Sequence, residues 1–226
     1  MKLSKRLTHI KQMITSEYTH IWDCCCDHGF LGASLLTNQA AKNIHFVDIV
    51  PELITKVEGK LQQFYPNSPS NWLTHCINVE ELPLHKYKGK HLIIIAGVGG
   101  DLITQFITSI HQQHPNVVID FILCPVHHQY TLREKLIELK FSLKDEALIE
   151  DNKRFYEIIY VASNSDNATG IHSTGDKIWQ STTTKQANVV KQYLAKTLDH
   201  YGRIKQGNTN NVDHIIAAYN LIKLKL

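Results

Sequence analysis

The stretch His91-Leu92-Ile93-Ile94-Ile95-Ala96-Gly97-Val98-Gly99-Gly100 decides the fold of this chain. Its apolar, largely β-branched core has no polar alternation, which is the pattern of a strand buried on both faces in the middle of a parallel sheet. The glycines that follow predict a turn into a helix over residues 101–114. A buried strand followed by a helical crossover indicates an α/β protein.

The same alternation of strands and helices extends in both directions from this stretch. The patterns predict strands at residues 20–23, 43–49, 73–78 and 119–124. They predict helices at residues 3–14, 30–40, 51–64 and 130–139. Residues 143–150 and 154–162 are typical of an antiparallel pair. This order predicts an α/β fold with a doubly wound, mostly parallel, Rossmann-like sheet.

The C-terminal quarter has a different pattern. Residues 163–176 are polar and contain glycine, which predicts a linker or exposed loop. Two amphipathic patterns follow, separated by a turn at residues 202–211, and they predict an α-helical hairpin over residues 177–226. We therefore expect an α/β domain at residues 1–162 and a helical appendage after the linker.

Composition excludes several classes of protein. Among 226 residues, 43% are hydrophobic and the net charge is +3, which suits a folded domain and is compatible with an RNA partner. No apolar run approaches the roughly 20 residues that span a bilayer, so we expect no membrane contact and a cytoplasmic location. The five cysteines form no C-x-x-C pair and the fourteen histidines are scattered, so we expect neither disulfides nor a metal site.

Acidic residues follow the first two predicted strands, where ligands bind in a doubly wound sheet. The segment after the first strand carries Asp23 and Asp27 but lacks the G-x-G-x-x-G pattern that approaches a pyrophosphate. S-adenosylmethionine has no phosphate, and a carboxylate here can orient its amino-acid part. Asp48, with Ile49 beside it, can accept both ribose hydroxyls of an adenosine group. Capping of the next helix by Asp27 and a turn at Asp48 are the structural alternatives.

Two further strand ends complete the predicted cofactor site. Asn78-Val79 follows the third strand, where a polar side chain can meet an adenine amine, although a solvated loop explains it as well. Ala96-Gly97 follows the central strand, and backbone without side chains leaves room for a methyl donor and acceptor to meet. A glycine-rich turn without a ligand is the alternative at this position.

Five short motifs stand in order along residues 3–162. They are Leu3-Ser4-Lys5-Arg6-Leu7; Asp23, Asp27, His28 and Leu31; Ile95–Gly100; Phe121–Val126 with Leu132-Arg133; and Tyr156-Glu157-Ile158. Together they resemble the motifs of the bacterial tRNA adenine-22 N1-methyltransferase family, namely L-S-x-R-L, D-I-G-S-D-H-A-Y-L-P, I-A-G-M-G-G, L-I-L-Q-P-N with L-R, and Y-E-I. The predicted helical hairpin also looks like the C-terminal appendage of that family.

The resemblance implies an S-adenosylmethionine-dependent methyltransferase that acts on adenine N1 in tRNA. We expect a monomer or weak dimer. The resemblance also implies that Asp27 stabilises the cationic ring after transfer and that His28 orients the base or the loop. The implied cofactor residues are Asp23, Cys25, Asp48, Ile49, Asn78, Val79, Ala96 and Gly97. The implied substrate residues are Arg6, Gly99, Gly100 and Arg133. A role for Arg133 in holding the fold remains equally open.

The chain departs from the family motifs at several positions. Cys25 and Cys26 replace the glycine and serine of the first motif, and Ala33 replaces its proline. Val126 replaces the asparagine of Q-P-N, so it cannot hydrogen-bond a base. Basic residues on the first helix and on the hairpin can contact RNA or form solvated helix faces; they are Lys2, Lys5, Arg6, Lys11, Lys185, Lys191, Lys196, Arg203 and Lys205.

Three alternative functions share the predicted fold. A methyltransferase acting on a small molecule, a protein or another RNA site would keep the cofactor residues and change the acceptor pocket. A non-catalytic relative would bind RNA or a partner through the hairpin. A NAD-dependent oxidoreductase would also use Asp48, but the missing glycine pattern disfavours it.

Overall fold

The computed structural model describes residues 3–15, 17–163, 170–207 and 211–225. The basic residue Lys2, most of the predicted linker (164–169) and part of the predicted hairpin turn (208–210) lie outside the described residues. None of the described helices is long and apolar enough to cross a membrane.

The described residues form seven strands and seven α-helices. The strands are β1 (His20–Cys24), β2 (Asn43–Asp48), β3 (Asn71–Cys76), β4 (His91–Ala96), β5 (Ile119–Cys124), β6 (Ser142–Asp151) and β7 (Arg154–Ala162). The helices are α1 (Lys5–Met13), α2 (Phe30–Thr37), α3 (Pro51–Phe64), α4 (Gly100–Gln113), α5 (Gln129–Glu138), α6 (Thr184–Gln206) and α7 (Asp213–Asn220). Short 3₁₀ helices lie at Val79–Glu81, Leu84–Lys86 and Lys177–Trp179.

The strands form one sheet in the order β3-β2-β1-β4-β5-β7-β6. The first five strands in this order are parallel, and β7 pairs antiparallel with both β5 and β6. This confirms the predicted doubly wound, mostly parallel fold with an antiparallel ending. As predicted, β4 lies in the middle of the sheet, with β1 and β5 on its two sides.

Several predicted elements differ from the structure at their ends, and the third strand and helix α2 show why. The third strand occupies Asn71–Cys76 rather than 73–78, because each of its residues pairs with β2 from Asn43 to Asp48 and the chain then leaves the sheet. Helix α2 ends at Thr37, three residues before the predicted end. The chain turns there through Gln39, which has a positive φ of 51° that cannot continue a right-handed helix.

Apolar layers cover both faces of the sheet. One layer joins Trp22, Ile93 and Ile95 to helix α4, and the other joins Ile44 and Phe46 to helices α2 and α3. Gly32 lets α2 approach β2 closely, because a Cβ atom there would lie 2.3 Å from a ring carbon of Phe46. Close helix packing therefore fixes the loop that joins β1 to α2.

The C-terminal helices form a third apolar cluster, in which Trp179, Tyr193 and Tyr219 pack together. Helix α6 continues through Gly202 to Gln206, so the predicted start of the turn at residue 202 was wrong. An exposed helix tolerates an internal glycine at a cost of roughly 1 kcal/mol. In the predicted linker, Ile171 is buried against the sheet. The domain boundaries at residues 162 and 177 stay a prediction.

A buried ion network connects α5, the antiparallel strands and α6. The Arg133 side chain is fully buried, and its guanidinium lies 2.7 Å from Glu146 and 2.7 Å from Glu157. Glu157 also accepts a hydrogen bond from the Tyr193 hydroxyl at 2.6 Å. The neighbouring carboxylates raise the pKa of Arg133 against the effect of burial. The assignment of Arg133 to substrate binding was therefore wrong, because its buried guanidinium is paired with Glu146 and Glu157 and cannot contact a substrate.

Three histidines form a hydrogen-bonded chain across β1, β2 and β3. His20 Nδ1 lies 3.0 Å from His45 Nε2, and His45 Nδ1 lies 2.9 Å from His75 Nε2. His20 Nε2 lies 3.2 Å from the Lys88 carbonyl, which can only accept. His20 must therefore donate from Nε2, so His45 donates to His20 and His75 donates to His45. All three rings are then neutral.

Trp22 and His91 form a hydrogen-bonded pair beside this chain, on the same face of the sheet. We call the four histidines together with Trp22 the histidine cluster. Trp22 donates from its indole nitrogen to His91 Nδ1 at 3.1 Å, and the Trp22 ring stacks on His45 with centroids 3.7 Å apart. His45 is fully buried. Burial, followed by the neighbouring histidines, lowers the pKa of His45 to about 2, and burial lowers that of His91 to about 4. The fold therefore requires neutral imidazoles here.

Replacing Arg133 by Met should destabilise the protein strongly. Arg133→Met leaves two buried carboxylates without their cation, which typically costs about 3–5 kcal/mol. Urea unfolding at neutral pH measures the change in free energy. The control is Lys135→Gln on the same helix, where the pair with Glu138 is partly exposed and worth at most about 1 kcal/mol. Equal effects of the two substitutions would contradict the buried network.

The histidine cluster should make stability fall in mild acid. The folded pKa of His45 lies below its ordinary value of 6.5, so the unfolded chain binds its proton first. The contribution of these histidines to the free energy of unfolding is therefore complete above about pH 6.5. As the pH falls below that value, it decreases by about 1.4 kcal/mol per pH unit for each histidine that stays neutral in the folded protein. His45→Gln keeps a donor and an acceptor but cannot titrate. It should shrink the difference in unfolding free energy between pH 7.5 and pH 5, measured in urea.

The control for this prediction is His85→Gln at an exposed position. It should leave the loss of stability in acid unchanged. Parallel pH profiles for wild type and His45→Gln would show that the buried chain of imidazoles does not set the acid sensitivity.

Candidate active site

The carboxyl ends of β1, β2 and β4 meet at one edge of the sheet, and Asp23 lies just inside it. Its carboxylate accepts a hydrogen bond from the Gly32 amide of α2 at 2.8 Å. The side chain is almost completely buried. Burial, with a smaller contribution from Asp48, raises the pKa of Asp23 to about 7. A buried carboxyl poised near neutrality is typical of a functional site.

Asp48 ends β2 and holds the neighbouring loop. One carboxylate oxygen accepts from the Asp27 amide at 3.0 Å, and the other accepts from the Val50 amide at 3.1 Å. Each oxygen keeps a lone pair for a further donor. Asp48 is therefore placed between the β1–α2 loop and the β2–α3 turn, where it can accept from a diol.

The β1–α2 loop turns through left-handed backbone. Cys25, Asp27 and Gly29 have φ values of 54°, 50° and 70°. A left-handed conformation is costly for Cys25, which occupies the position of the glycine in the resembled motif. Burial raises the pKa of the Cys25 thiol to about 12, so this side chain is neutral. Strained backbone of this kind is found preferentially at functional sites.

Asp27 and His28 stand at the exposed rim of this loop. The Asp27 carboxylate lies 3.3 Å from His28 Nδ1, and both side chains are more than half exposed. The His28 ring contacts the edge of Phe30, with centroids 5.6 Å apart. A carboxylate and an imidazole are therefore available to a substrate at the surface, and neither is used in the core.

The residues after β2 and β3 contribute differently from one another. Ile49 is 65% exposed immediately after Asp48, which is unusual for isoleucine and suits an apolar ligand surface. The Asn78 side chain accepts from the Glu80 amide at 3.2 Å and caps a 3₁₀ helix. The Val79 side chain is buried in the core, so only the backbone of this residue can contact a ligand.

The end of β4 is open beside Arg6. Gly97 has a φ of 95° and is exposed, and a Cβ atom there would meet only the Arg6 guanidinium, at 3.7 Å. That guanidinium lies 4.8 Å from the centre of the Tyr156 ring. The Arg6 amide donates to the Asp151 carboxylate at 3.2 Å. Helix α1 therefore places a cation next to the space above β4.

The two glycines after Gly97 serve different purposes. The His127 ring packs directly on Gly99, where a Cβ atom would lie 2.3 Å from a ring carbon. Gly100 is buried, and its amide donates to the His127 carbonyl at 2.9 Å. The assignment of Gly100 to substrate binding was wrong, because its missing side chain accommodates the backbone of His127 and His128.

A family model described as "Methyltransferase domain" matches residues 3–159. This match covers more than half of the chain and includes the ends of β1, β2, β3 and β4. The chain belongs to the methyltransferase-domain family. No curated protein sequence matches the methyltransferase significantly.

Solved structures share the fold of this methyltransferase over nearly its whole length. TrmK of M. capricolum, in complex with S-adenosyl-homocysteine, is 20% identical with a TM-score of 0.72 and covers 97% of this chain and 94% of its own. The M1A22 tRNA methyltransferase TrmK of B. subtilis is 19% identical with a TM-score of 0.66, covering 97% and 93%. An uncharacterized protein of Listeria monocytogenes is 22% identical with a TM-score of 0.74, covering 97% and 98%.

Sequence reasoning did not assign two residues that the methyltransferase places at this edge. The His127 ring lies on Gly99, and the Tyr156 ring stacks beneath the Arg6 guanidinium. Tyr156 was visible in the Y-E-I motif, but its pairing with Arg6 spans 150 positions that no local pattern connects. Among the described residues, no group of three or more histidines, cysteines or carboxylates could hold a metal ion.

Asp23→Asn should stabilise the ligand-free protein above neutral pH. The pKa of about 7 in the folded protein exceeds the ordinary value of 3.8. The contribution of the Asp23 carboxyl to the free energy of unfolding is therefore complete in acid and is lost as the pH rises towards 7. The amide still accepts from Gly32 but carries no charge. At pH 8 we expect an increase in unfolding free energy of the order of 1 kcal/mol or more, measured by urea denaturation. No gain at pH 8, or an equal gain at pH 5, would contradict a buried ionised Asp23.

Proposed function

We propose that this methyltransferase transfers a methyl group from S-adenosylmethionine to N1 of an adenine in tRNA. The observation that carries the proposal is the convergence of Asp23, Asp48 and the open Gly97 with Arg6 at one edge of the sheet. The proposal is supported by the likeness to TrmK, one structure of which holds S-adenosyl-homocysteine. It is also supported by the ordered motifs between residues 3 and 162.

The cofactor side of the site consists of residues from β1, β2 and β4. Asp48 has free lone pairs for the two ribose hydroxyls, and the exposed Ile49 offers an apolar surface to adenine. Asp23 can balance the positive charge of an amino-acid group, directly or through water. The exposed Gly97 leaves the space above β4 free of side chains. These groups match the charges and shape of S-adenosylmethionine, and we assign them to it.

The acceptor side consists of Arg6, Asp27, His28 and Gly99. When bound, S-adenosylmethionine supplies an electrophilic methyl group on a sulfonium. The lone pair of adenine N1 forms the new N–C bond while the C–S bond breaks, and its electrons stay on sulfur. No proton has to be removed, so the protein contributes orientation and exclusion of water. The ring becomes cationic, and the exposed Asp27 carboxylate stabilises that charge as it develops.

Titration calorimetry with S-adenosylmethionine tests the cofactor assignment. Wild type should bind it and should not bind NAD. Asp48→Asn should weaken binding on the order of tenfold, because a charge-assisted hydrogen bond to the ribose is lost. The matched control is Asp199→Asn on the exposed face of α6, which removes the same charge far from the site. Absence of binding to S-adenosylmethionine would refute the proposed enzyme.

Methyl transfer to RNA tests the acceptor assignment. Tritiated S-adenosylmethionine should label an unmodified tRNA transcript, and primer extension should stop at the modified base because its Watson–Crick edge is blocked. Labelling at another base or another atom would support the methyltransferase activity but would contradict adenine N1 as the acceptor. Cofactor binding without transfer to any RNA would leave a small molecule or a protein as the acceptor.

A further inference from the structure

A groove runs between the catalytic domain and helix α6. Its volume is about 440 Å³, within the range of about 300–1,000 Å³ that is typical of small-ligand sites. Three segments form its walls, namely the β5–α5 loop with His127 and His128, the β6–β7 turn with Lys153 and Arg154, and the face of α6 with Lys196 and His200. We call it the hairpin groove.

The hairpin groove is positively charged. Lys153, Arg154 and Lys196 are exposed cations, and no aspartate or glutamate is among the described residues that line the groove. Two carboxylates outside the lining contact its residues: Asp101 binds His128 Nδ1 at 2.5 Å, and Glu157 accepts from the Tyr193 hydroxyl at 2.6 Å. Such a surface attracts a polyanion rather than a neutral peptide.

Aromatic rings lie between these cations. Phe155 is half-buried beneath Lys196, whose ammonium lies 4.6 Å from the ring centre, and Tyr201 faces the groove from α6. Aromatic rings interleaved with lysine and arginine are the usual surface for single-stranded nucleic acid, where bases stack and phosphates meet cations. A membrane or an acidic peptide would use the charges but would not need the rings.

The backbone around the hairpin groove is strained. Asn152 and Lys153 have φ values of 50° and 61°, and His128 has a φ of 59°. Lysine rarely adopts this conformation, and Asn-Gly would form the same tight turn at lower cost. Lys153 and its neighbour Arg154 line the groove at this turn.

The groove is continuous with the acceptor side of the active site. His127 lines the groove and packs on Gly99, directly after the open end of β4. Tyr156 also lines the groove, and its ring contacts the Arg6 guanidinium that stands beside Gly97. A single strand of RNA bound in the groove would therefore reach the position at which the acceptor base must lie.

We infer that the hairpin groove binds the single-stranded RNA segment next to the target nucleotide, through phosphate contacts to Lys153, Arg154 and Lys196 and base stacking on Phe155. This inference rests on the proposed function and adds a substrate-binding surface to it. The cavity between α1 and α6 is larger, about 640 Å³, but Glu150 and few rings line it, so it suits RNA less well.

Fluorescence anisotropy with a labelled, unmodified tRNA transcript tests the phosphate contacts. The groove variant combines Lys153→Asn, Arg154→Gln and Lys196→Gln, with asparagine chosen because it tolerates positive φ. Affinity should fall about tenfold or more, and the slope of log affinity against log salt should become shallower by about 2, since three phosphate contacts are lost. Binding equal to that of the control variant would overturn the inference.

The control variant combines Lys42→Gln, Lys86→Gln and Lys88→Gln. These three lysines are exposed and lie before β2 and β4, at the opposite edge of the sheet. The control removes the same number of charges, so a loss of affinity through net charge alone would appear in both variants. We expect less than about a threefold loss in the control.

Phe155→Leu tests base stacking, because leucine keeps the apolar packing and removes the ring. Its affinity for a short oligoadenylate should fall about fivefold or more, whereas its affinity for a duplex of equal length should not change. Equal losses for both probes, or competition by polyglutamate as effective as that by oligoadenylate, would overturn a single-stranded nucleic-acid site.

Calorimetry with S-adenosylmethionine separates this inference from the proposed function. The groove variant, the control variant and Phe155→Leu should bind the cofactor with the affinity of wild type, because none of the changed residues lies on the cofactor side of the site. Loss of cofactor binding in wild type would refute the enzyme and leave the RNA measurement interpretable. Normal cofactor binding with no RNA binding in wild type would overturn both the groove assignment and the tRNA substrate. RNA binding that the groove variant retains would overturn the groove assignment alone.

Discussion

The burial of β4 on both faces and both edges is the constraint on which the rest of the structure depends. His91–Ala96 hydrogen-bonds to β1 on one side and to β5 on the other, and apolar layers cover both faces. A slip of this strand by one residue would move each of its side chains into the opposite apolar layer and would disrupt the packing of both layers. It therefore fixes where the neighbouring strands end, and with them the positions of Asp23, Asp48 and Gly97.

The site at this edge is built at the expense of stability. Asp23 is buried with its pKa raised to about 7, and Cys25 and Asp27 hold left-handed backbone. The Arg133 network and the histidine chain through His45 are also buried, but there each polar side chain has a partner. The unfavourable buried charge thus lies where we propose that the cofactor binds, as is common in enzymes.

The helical hairpin is attached to the rest of the protein through the buried ion network. Tyr193 of α6 donates to Glu157 of β7, so the ion network that buries Arg133 also holds the hairpin on the catalytic domain. This attachment positions Lys196 against the β6–β7 turn and forms the wall of the hairpin groove. The same contacts therefore stabilise the fold and shape the surface that we assign to RNA.

The sequence by itself determined the order of elements, the doubly wound sheet, the central strand and the acidic residues at the strand ends. Those features are encoded locally, by apolar runs, glycine turns and the residue that follows each strand. The sequence did not distinguish a buried Arg133 from an exposed one, because a single arginine carries no sign of the distant carboxylates Glu146 and Glu157. Nor did it predict that Gly100 is packed while Gly97 is open.

Only the tertiary structure decided which residues share the site. The pairing of Arg6 with Tyr156, the stacking of His127 on Gly99 and the groove between α6 and the β6–β7 turn join segments that are far apart in the chain. Periodicity within one segment reports which of its faces is buried but not which segment covers that face. Long-range packing supplies that information, and here it defines the acceptor side of the enzyme.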